Sequence, residues 1–269
     1  MKGIDVSKWQ GAIDWERVLN SNVEFAVIRE GWGKKSSSQI DSKFKYNLAN
    51  SKLFGIPRGV YHYSYADSVS DAREEALFCL ENISKEKLEF PVVFDIEDRT
   101  MLTLSTAKRT EIASVFCEEI EKAGYYAMIY CNVDWYKNYL NGDELSKKYD
   151  FWIAQWSGSE PNVKCGIWQY TDSGKIDGIE GNVDLNIAYK DYPSIMKERG
   201  INGFSPNENN TEKEDKPNFL EYTVKKNDTL WDIALKFLGS GSKYKEIMSL
   251  NKLTSDIIFP EQLLKIPKI

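Results

Sequence analysis

Short apolar runs and amphipathic stretches take turns through the first half of the chain. Residues 3–6, 24–29, 59–63 and 91–97 are runs of strand length, bounded by Gly, Pro, Asp or Ser. Between them, 14–19, 41–54, 70–83 and 105–123 carry apolar side chains at helical spacing. Ala72, Ala76, Leu77 and Leu80 share one face, as do Ile112, Val115, Phe116 and Ile120. Strand then helix thus repeats four times, which implies parallel strands joined by crossover helices, in a doubly wound sheet or a barrel. The second half changes character: 125–131, 151–155, 167–170 and 183–187 read as strands with little room for helices between the last three. About eight strands in all favour an α/β fold, an irregular (β/α) barrel with some of its late helices missing. Sites in such barrels lie at the C-terminal face of the strands, which is where Asp5, Glu30, His62, Asp95, Glu97 and Asp184 are expected.

The periodicity stops after residue 202. Residues 203–220, including Pro206-Asn207-Glu208-Asn209-Asn210-Thr211-Glu212-Lys213-Glu214-Asp215, have almost no apolar content to offset the entropy of ordering and read as a flexible polar linker. From 221 to 269 a new pattern appears. Tyr222-Thr223-Val224 is a strand, and Thr229 with Asp232 forms a capping box opening a helix that continues through Ile233, Ala234 and Phe237. A second helix at 244–251 and a strand at 262–267 complete a small strand-helix-helix-strand unit. The expected organisation is therefore a barrel domain over 1–202, a linker over 203–220 and a second domain over 221–269.

Composition narrows the class. Hydrophobic residues make up 42% and charged residues 28%, the balance of a globular chain. No apolar run approaches the roughly 20 residues of a membrane span, so no membrane insertion is expected. Met1-Lys2-Gly3-Ile4-Asp5 leads straight into a strand and lacks the apolar core of a signal peptide. A net charge of −6 argues against nucleic acid as a partner. That charge is unevenly spread: residues 222–269 hold eight Lys against five acids, 203–221 hold two Lys against five acids, and 1–202 keep the remaining −6. Cys79, Cys117, Cys131 and Cys165 are widely spaced with no C-x-x-C pair, and read as buried free thiols.

Chemistry concentrates where strands end. Asp95 and Glu97 break the apolar run at 91–97 at alternate positions, so they project from one face about 6.6–7 Å apart. Ionised carboxylates are costly to bury without partners. Two carboxyls so placed suit cleavage of a glycosidic bond, one donating a proton while the other stabilises positive charge on the sugar. Asp5 and Asp184 close other strands, and four acids on one rim would raise one another's proton affinity. The rim is also rich in aromatic faces suited to sugar rings: Trp9, Trp32, Tyr61, Tyr63, Tyr130, Trp152, Trp156, Trp168 and Tyr170. Other chemistries fail on spacing. His62 is the only histidine, which leaves no His-rich metal site and no cofactor signature. No G-x-S-x-G nucleophile turn occurs, and Gly33-Lys34-Lys35-Ser36 has Ile28 where a phosphate loop requires Gly.

Taken together, Asp5-Val6-Ser7-Lys8-Trp9-Gln10-Gly11, Phe25-Ala26-Val27-Ile28-Arg29, Gly59-Val60-Tyr61-His62-Tyr63, Asp95-Ile96-Glu97, Trp152-Ile153-Ala154-Gln155-Trp156, Trp168-Gln169-Tyr170-Thr171 and Val183-Asp184-Leu185-Asn186 resemble glycoside hydrolase family 25, the muramidases. The resemblance covers about residues 1–192. It implies hydrolysis of the β-1,4 bond between N-acetylmuramic acid and N-acetylglucosamine, with Glu97 as general acid, Asp95, Asp5 and Asp184 as supporting acids, and Tyr61, His62, Tyr63, Tyr130, Trp152 and Gln169 against the substrate. The tail is similar to a LysM module through Tyr222-x-Val224, Asp228-Thr229-Leu230, Ile233-Ala234, Phe237, Asn251 and Leu264-Lys265-Ile266-Pro267. Asn227 and Glu261 stand where Gly is usual, and Asp228, Thr229 and Leu230, with Ile257 and Ile258 in the loop after the second helix, are the expected sugar contacts. The partner so implied is bacterial peptidoglycan, met by a phage endolysin released from its host's cytoplasm or by an autolysin exported another way. A chitinase-like glycosidase, a non-catalytic wall-binding protein and a wall amidase remain as alternatives at this point.

Overall fold

The computed structural model describes residues 1–34, 36–84, 86–205, 219–253 and 255–267. Two compact units divide at Asn209 and Asn210. Much of the polar linker read at 203–220, residues 206–218, lies outside the described residues.

In the first unit, β1 (Lys2–Val6), β2 (Phe25–Trp32), β3 (Arg58–Tyr63), β4 (Val92–Asp95), β5 (Ala127–Asn132), β6 (Asp150–Ala154), β7 (Ile167–Gly174) and β8 (Val183–Ala188) close into a barrel in chain order. Helices α1 (Trp15–Asn20), α2 (Phe44–Leu53), α3 (Val69–Ile83) and α4 (Thr106–Lys122) follow the first four strands. After β5 come a π-helical turn (Trp135–Tyr139) and one short α-helix, α5 (Gly142–Leu145), and α6 (Tyr192–Arg199) follows β8. The late helices are missing, as the spacing predicts.

One feature departs from the alternation rule. Strands β1 to β7 pair in parallel, but β8 runs antiparallel to both β7 and β1. The connection between β7 and β8 spans 175–182, too short for the dozen or more residues of a crossover, so the chain turns back as a hairpin. Asp184 therefore reaches the rim from the start of its strand, opposite Asp5 in register.

Alternation along each strand builds two apolar layers. Phe25, Val27, Val93, Met128, Trp152 and Ile167 fill the barrel interior. Ile4, Val6, Ile28, Val60, Phe94 and Ile129 face outward, packed with Ala76, Phe116 and Ile120 of the surrounding helices. Gly3 is required by the first layer, since a Cβ there would meet the Phe25 ring at 2.5 Å. The helix starts are capped by side chains: Asp14, Ser68, Ser105 and Asp191 each accept a backbone N–H in the first turn. Cys79, Cys117 and Cys131 are buried free thiols and Cys165 is a half-buried one.

The second unit pairs β9 (Phe219–Thr223) with β10 (Leu263–Pro267) antiparallel, with α7 (Leu230–Leu238) and α8 (Tyr244–Leu250) between them. Val224, Leu230, Ile233, Ala234, Leu238, Ile247, Leu264 and Ile266 form its core. Thr229 caps α7 by accepting from Asp232 N, and its hydroxyl donates to Asp232 Oδ2 at 2.6 Å. Asn227 and Glu261 both take left-handed backbone, φ 73° and 71°.

Candidate active site

The barrel mouth gathers four carboxyls from three strands and one strand exit. Asp5 sits on β1, Asp95 ends β4, Glu97 follows two residues beyond on the same face, and Asp184 opens β8. Asp5 is held from below: Gln169 Nε2 and Asn186 Nδ2 each donate to its Oδ2 at 2.9 Å. Those amides are in turn oriented, Gln169 Oε1 accepting from Tyr130 O–H at 3.0 Å and Trp156 Nε1 at 3.2 Å, and Asn186 Oδ1 from Trp152 Nε1 at 2.8 Å. Glu97 is held from the side, because Asn132 donates to its Oε2 through both backbone N and Nδ2 at 3.0 Å. Asp95 is 6% exposed, and its Oδ1 has no hydrogen-bond partner.

Among the described residues none of these four acids has an ion-pair partner, so burial decides their proton affinity. Burial, then the neighbouring charge of Glu97, pushes Asp95 well above the usual carboxylate range. Burial also raises Glu97 against the bonds from Asn132, and raises Asp5 against those from Asn186 and Gln169. Burial, reinforced by Asp5, pushes Asp184 up to about 8. An upward shift is the direction a carboxylic acid needs if it is to protonate a leaving oxygen.

The aromatic lining follows strand parity. Tyr61, inward on β3, meets the edge of Trp152 with centroids 6.1 Å apart, and Tyr130 lies 4.5 Å from Trp152. Tyr63 stands at the rim and donates to Asp98 Oδ2 at 2.9 Å. Trp152 and Gln169 are nearly fully buried and form a floor rather than an open wall.

His62 is a correction. Lying between Tyr61 and Tyr63, it points to the opposite face of β3, fully buried in the layer between strands and helices. Its ring stacks on Phe116 at 5.8 Å, and Nδ1 lies 2.8 Å from Glu30 Oε2. Glu30, also expected at the mouth, is fully buried there with it. The Cys79 thiol lies close to both, and the ligand atoms of the trio fall within 4.8 Å of one another. They suit a metal poorly, because the proton affinities of the thiol and of the imidazole are both raised and each would have to give up a proton to ligate.

The expected sugar contacts at 228–230 in the second unit are used for folding. Asp228 Oδ2 accepts from Tyr222 O–H at 2.6 Å and Lys225 N at 2.8 Å, while Thr229 is the helix cap. Leu230 is a further correction, since its side chain is 2% exposed and belongs to the core. Ile257, also expected as a contact, is exposed, as are Trp231, Leu235, Leu250, Phe259 and Leu263 among the described residues of that unit. In the barrel, sequence reasoning also assigned no part to Asn132, Asn186 or Asp98. The available signal was parity: Asn186 is two residues after Asp184, and Asn132 two after Tyr130, each on the inward face.

A closed eight-stranded barrel carrying paired buried carboxyls and aromatic faces at its mouth is the arrangement of a glycoside hydrolase. Residues 4–179 match the family described as Glycosyl hydrolases family 25, and residues 222–267 match the LysM domain; the chain belongs to that hydrolase family. The uncharacterized protein YegX of Escherichia coli K12 is 33% identical over 194 residues, 69% of this chain and 68% of that one. Lysozyme M1 of Streptomyces globisporus is 29% identical over 199 residues, 69% of this chain and 67% of its own length. Among solved structures, the CTP1L endolysin superposes with a TM-score of 0.63 at 26% identity, covering 73% of this chain and 69% of that one.

Proposed function

We propose that the barrel hydrolyses the β-1,4 bond between N-acetylmuramic acid and N-acetylglucosamine in peptidoglycan, as a wall-lytic enzyme of the endolysin or autolysin kind. The observation that carries this reading is the cluster of four acids without ion pairs, Asp5 and Asp95 buried and Glu97 and Asp184 half-buried, with one oxygen of Asp95 unpartnered. Glu97 is the general acid. Asn132 occupies Oε2, which leaves Oε1 to carry the proton to the leaving oxygen and later to take one from water. Two residues apart on one face, Asp95 and Glu97 are separated by about 7 Å along the backbone, longer than the roughly 5 Å of a direct carboxylate nucleophile. Of the two ways to act without a carboxylate nucleophile, direct attack by water with inversion and attack by the substrate's own N-acetyl group with retention, we favour the second, with Asp95 orienting the amide. Asp5 and Asp184 complete the acidic wall of the mouth as supporting acids beside the sugar. The LysM unit over 221–269 binds the same polymer and, through a tether, raises the barrel's effective concentration there.

Mass spectrometry of digested peptidoglycan tests the reaction. Reducing muramic acid ends are expected. Reducing glucosamine ends would move the scissile bond, free peptide would mean an amidase, and intact polymer a binding protein. Proton NMR of the first-formed anomer tests the mechanism, and an inverted product would rule out the N-acetyl step.

A further inference from the structure

Beside the acids, on the β1 to β3 side of the mouth, lies a cleft of about 420 Å³ lined by Lys8, Trp9, Arg29, Trp32, Tyr63 and Tyr65. It adjoins the acids directly, since Tyr63 pairs in register with Asp95. Its walls are aromatic, and Trp9 is 75% exposed, an open face for a sugar ring. The cations are built in. Lys8 belongs to a single turn locked by Ser7, whose side chain accepts Trp9 N and whose own N–H donates to Gln10 Oε1. Asp41 accepts the Lys8 backbone N at 3.0 Å and Arg29 Nε at 2.8 Å, so one carboxylate anchors both. That ion pair neutralises Arg29. The Lys8 ammonium lies 4.9 Å from the Trp9 ring centre and 5.0 Å from that of Trp32, with no acidic partner among the described residues. An unpaired cation set beside an otherwise acidic rim makes that side of the mouth receptive to negative charge.

We infer that this cleft is a subsite for a sugar bearing a carboxylate, its ring against Trp9 and Trp32 and its acid at Lys8. On the muramidase reading, on which this rests, the carboxylate is that of the muramyl lactyl arm or of the peptide it carries. Neutral glucosamine lacks such a group, so Lys8 sets which of the two alternating sugars comes under Glu97.

The test compares wild type, Lys8→Met and Lys8→Arg on three soluble glycans: peptide-free strands with lactyl carboxylates exposed, the same strands converted to lactyl methylamides, and peptide-bearing strands. Lys8→Met is expected to raise KM about tenfold on carboxylate strands with kcat retained, the size of one charge-assisted contact. Lys8→Arg restores KM, and on the methylamide neither change matters. An effect on peptide-bearing strands alone assigns the carboxylate to the peptide. Equal effects on charged and neutral strands, or none on any, overturn the subsite. Wild type that releases no muramic acid ends from any strand overturns the muramidase reading itself, a distinct outcome. Thermal midpoints within error of wild type confirm that the variants are folded.

Discussion

The barrel wall has a cluster of polar groups on each side, one at the inner mouth and one between strands and helices, and the two behave in opposite ways. Inside the barrel, Asp5, Asp95, Glu97 and Asp184 face one another without an ion pair, and burial raises the proton affinity of each. Outside it, Glu30 and Glu75 flank His62, with Nδ1 2.8 Å from Glu30 and Nε2 3.7 Å from Glu75. Asn82 donates to Glu30, and Ser64 Oγ donates to Glu75 Oε2 at 2.6 Å. Burial works against charge on His62, but the bond to Glu30 and the charges of Glu30 and Glu75 outweigh it and raise its proton affinity. Burial alone therefore does not make a site. A cluster whose charges cancel braces the fold, and one whose charges repel stays ready for a proton or a ligand.

Removing the carboxyl charge on the inner face should abolish activity and spare the fold. Glu97→Gln is expected to lower kcat on the order of a thousandfold with the thermal midpoint unchanged, and reducing-sugar release beside a melting curve separates the two. The outer cluster should respond in reverse. His62→Leu leaves two buried acids without their cation, so about 3–5 kcal/mol of stability should be lost while kcat per folded molecule persists. Chemical denaturation with active-site titration reads both, and a variant that is stable but inactive would contradict the assignment.

Titration sharpens the same contrast. Asp184 has a folded value near 8 against an ordinary 3.8, so over that window the folded chain holds a proton that the unfolded chain releases. Stability from this group is complete below about 3.8 and is lost as pH rises toward 8. Asp184→Asn should thus raise the thermal midpoint more at pH 8 than at pH 4. His62 slopes the same way but higher, its contribution being complete below its ordinary 6.5 and lost only as pH passes its raised folded value. The smallest effect lies in the second unit. Glu261 holds φ 71°, a left-handed backbone that costs a residue with a Cβ about 1–2 kcal/mol. Glu261→Gly should stabilise that unit by about 1 kcal/mol after the entropy Gly adds to the unfolded chain, as calorimetry of the full chain can check.

Legibility tracked how local the cause was. The Thr229–Asp232 cap, the early helices and the acid-bearing strands were readable because their partners lie within a turn or share a strand face. Asp95 and Glu97 could be placed together for the same reason. Tyr61, His62 and Tyr63 could not all face the mouth, and the period of two already decided that the middle one turns away. Leu230 was similarly recoverable, since it lies at helical spacing from Ile233 and Ala234 in the core. The Asn132 and Asn186 roles were not, because they depend on Glu97 and Asp5, 35 and 181 positions distant.

The alternating elements, the break near 203, the acids and aromatics of the rim and the two family resemblances can be read along the chain, because they are written in periods of two to four residues or in short motifs. That β8 turns antiparallel and presents Asp184 by its first residues, that Asn132 fixes one oxygen of Glu97, and that Lys8 stands between two indoles beside the acids emerge only in the folded barrel. Closure of the barrel is the reason: it brings β1 against β8, and a side chain's proton affinity then depends on neighbours that no window along the chain contains.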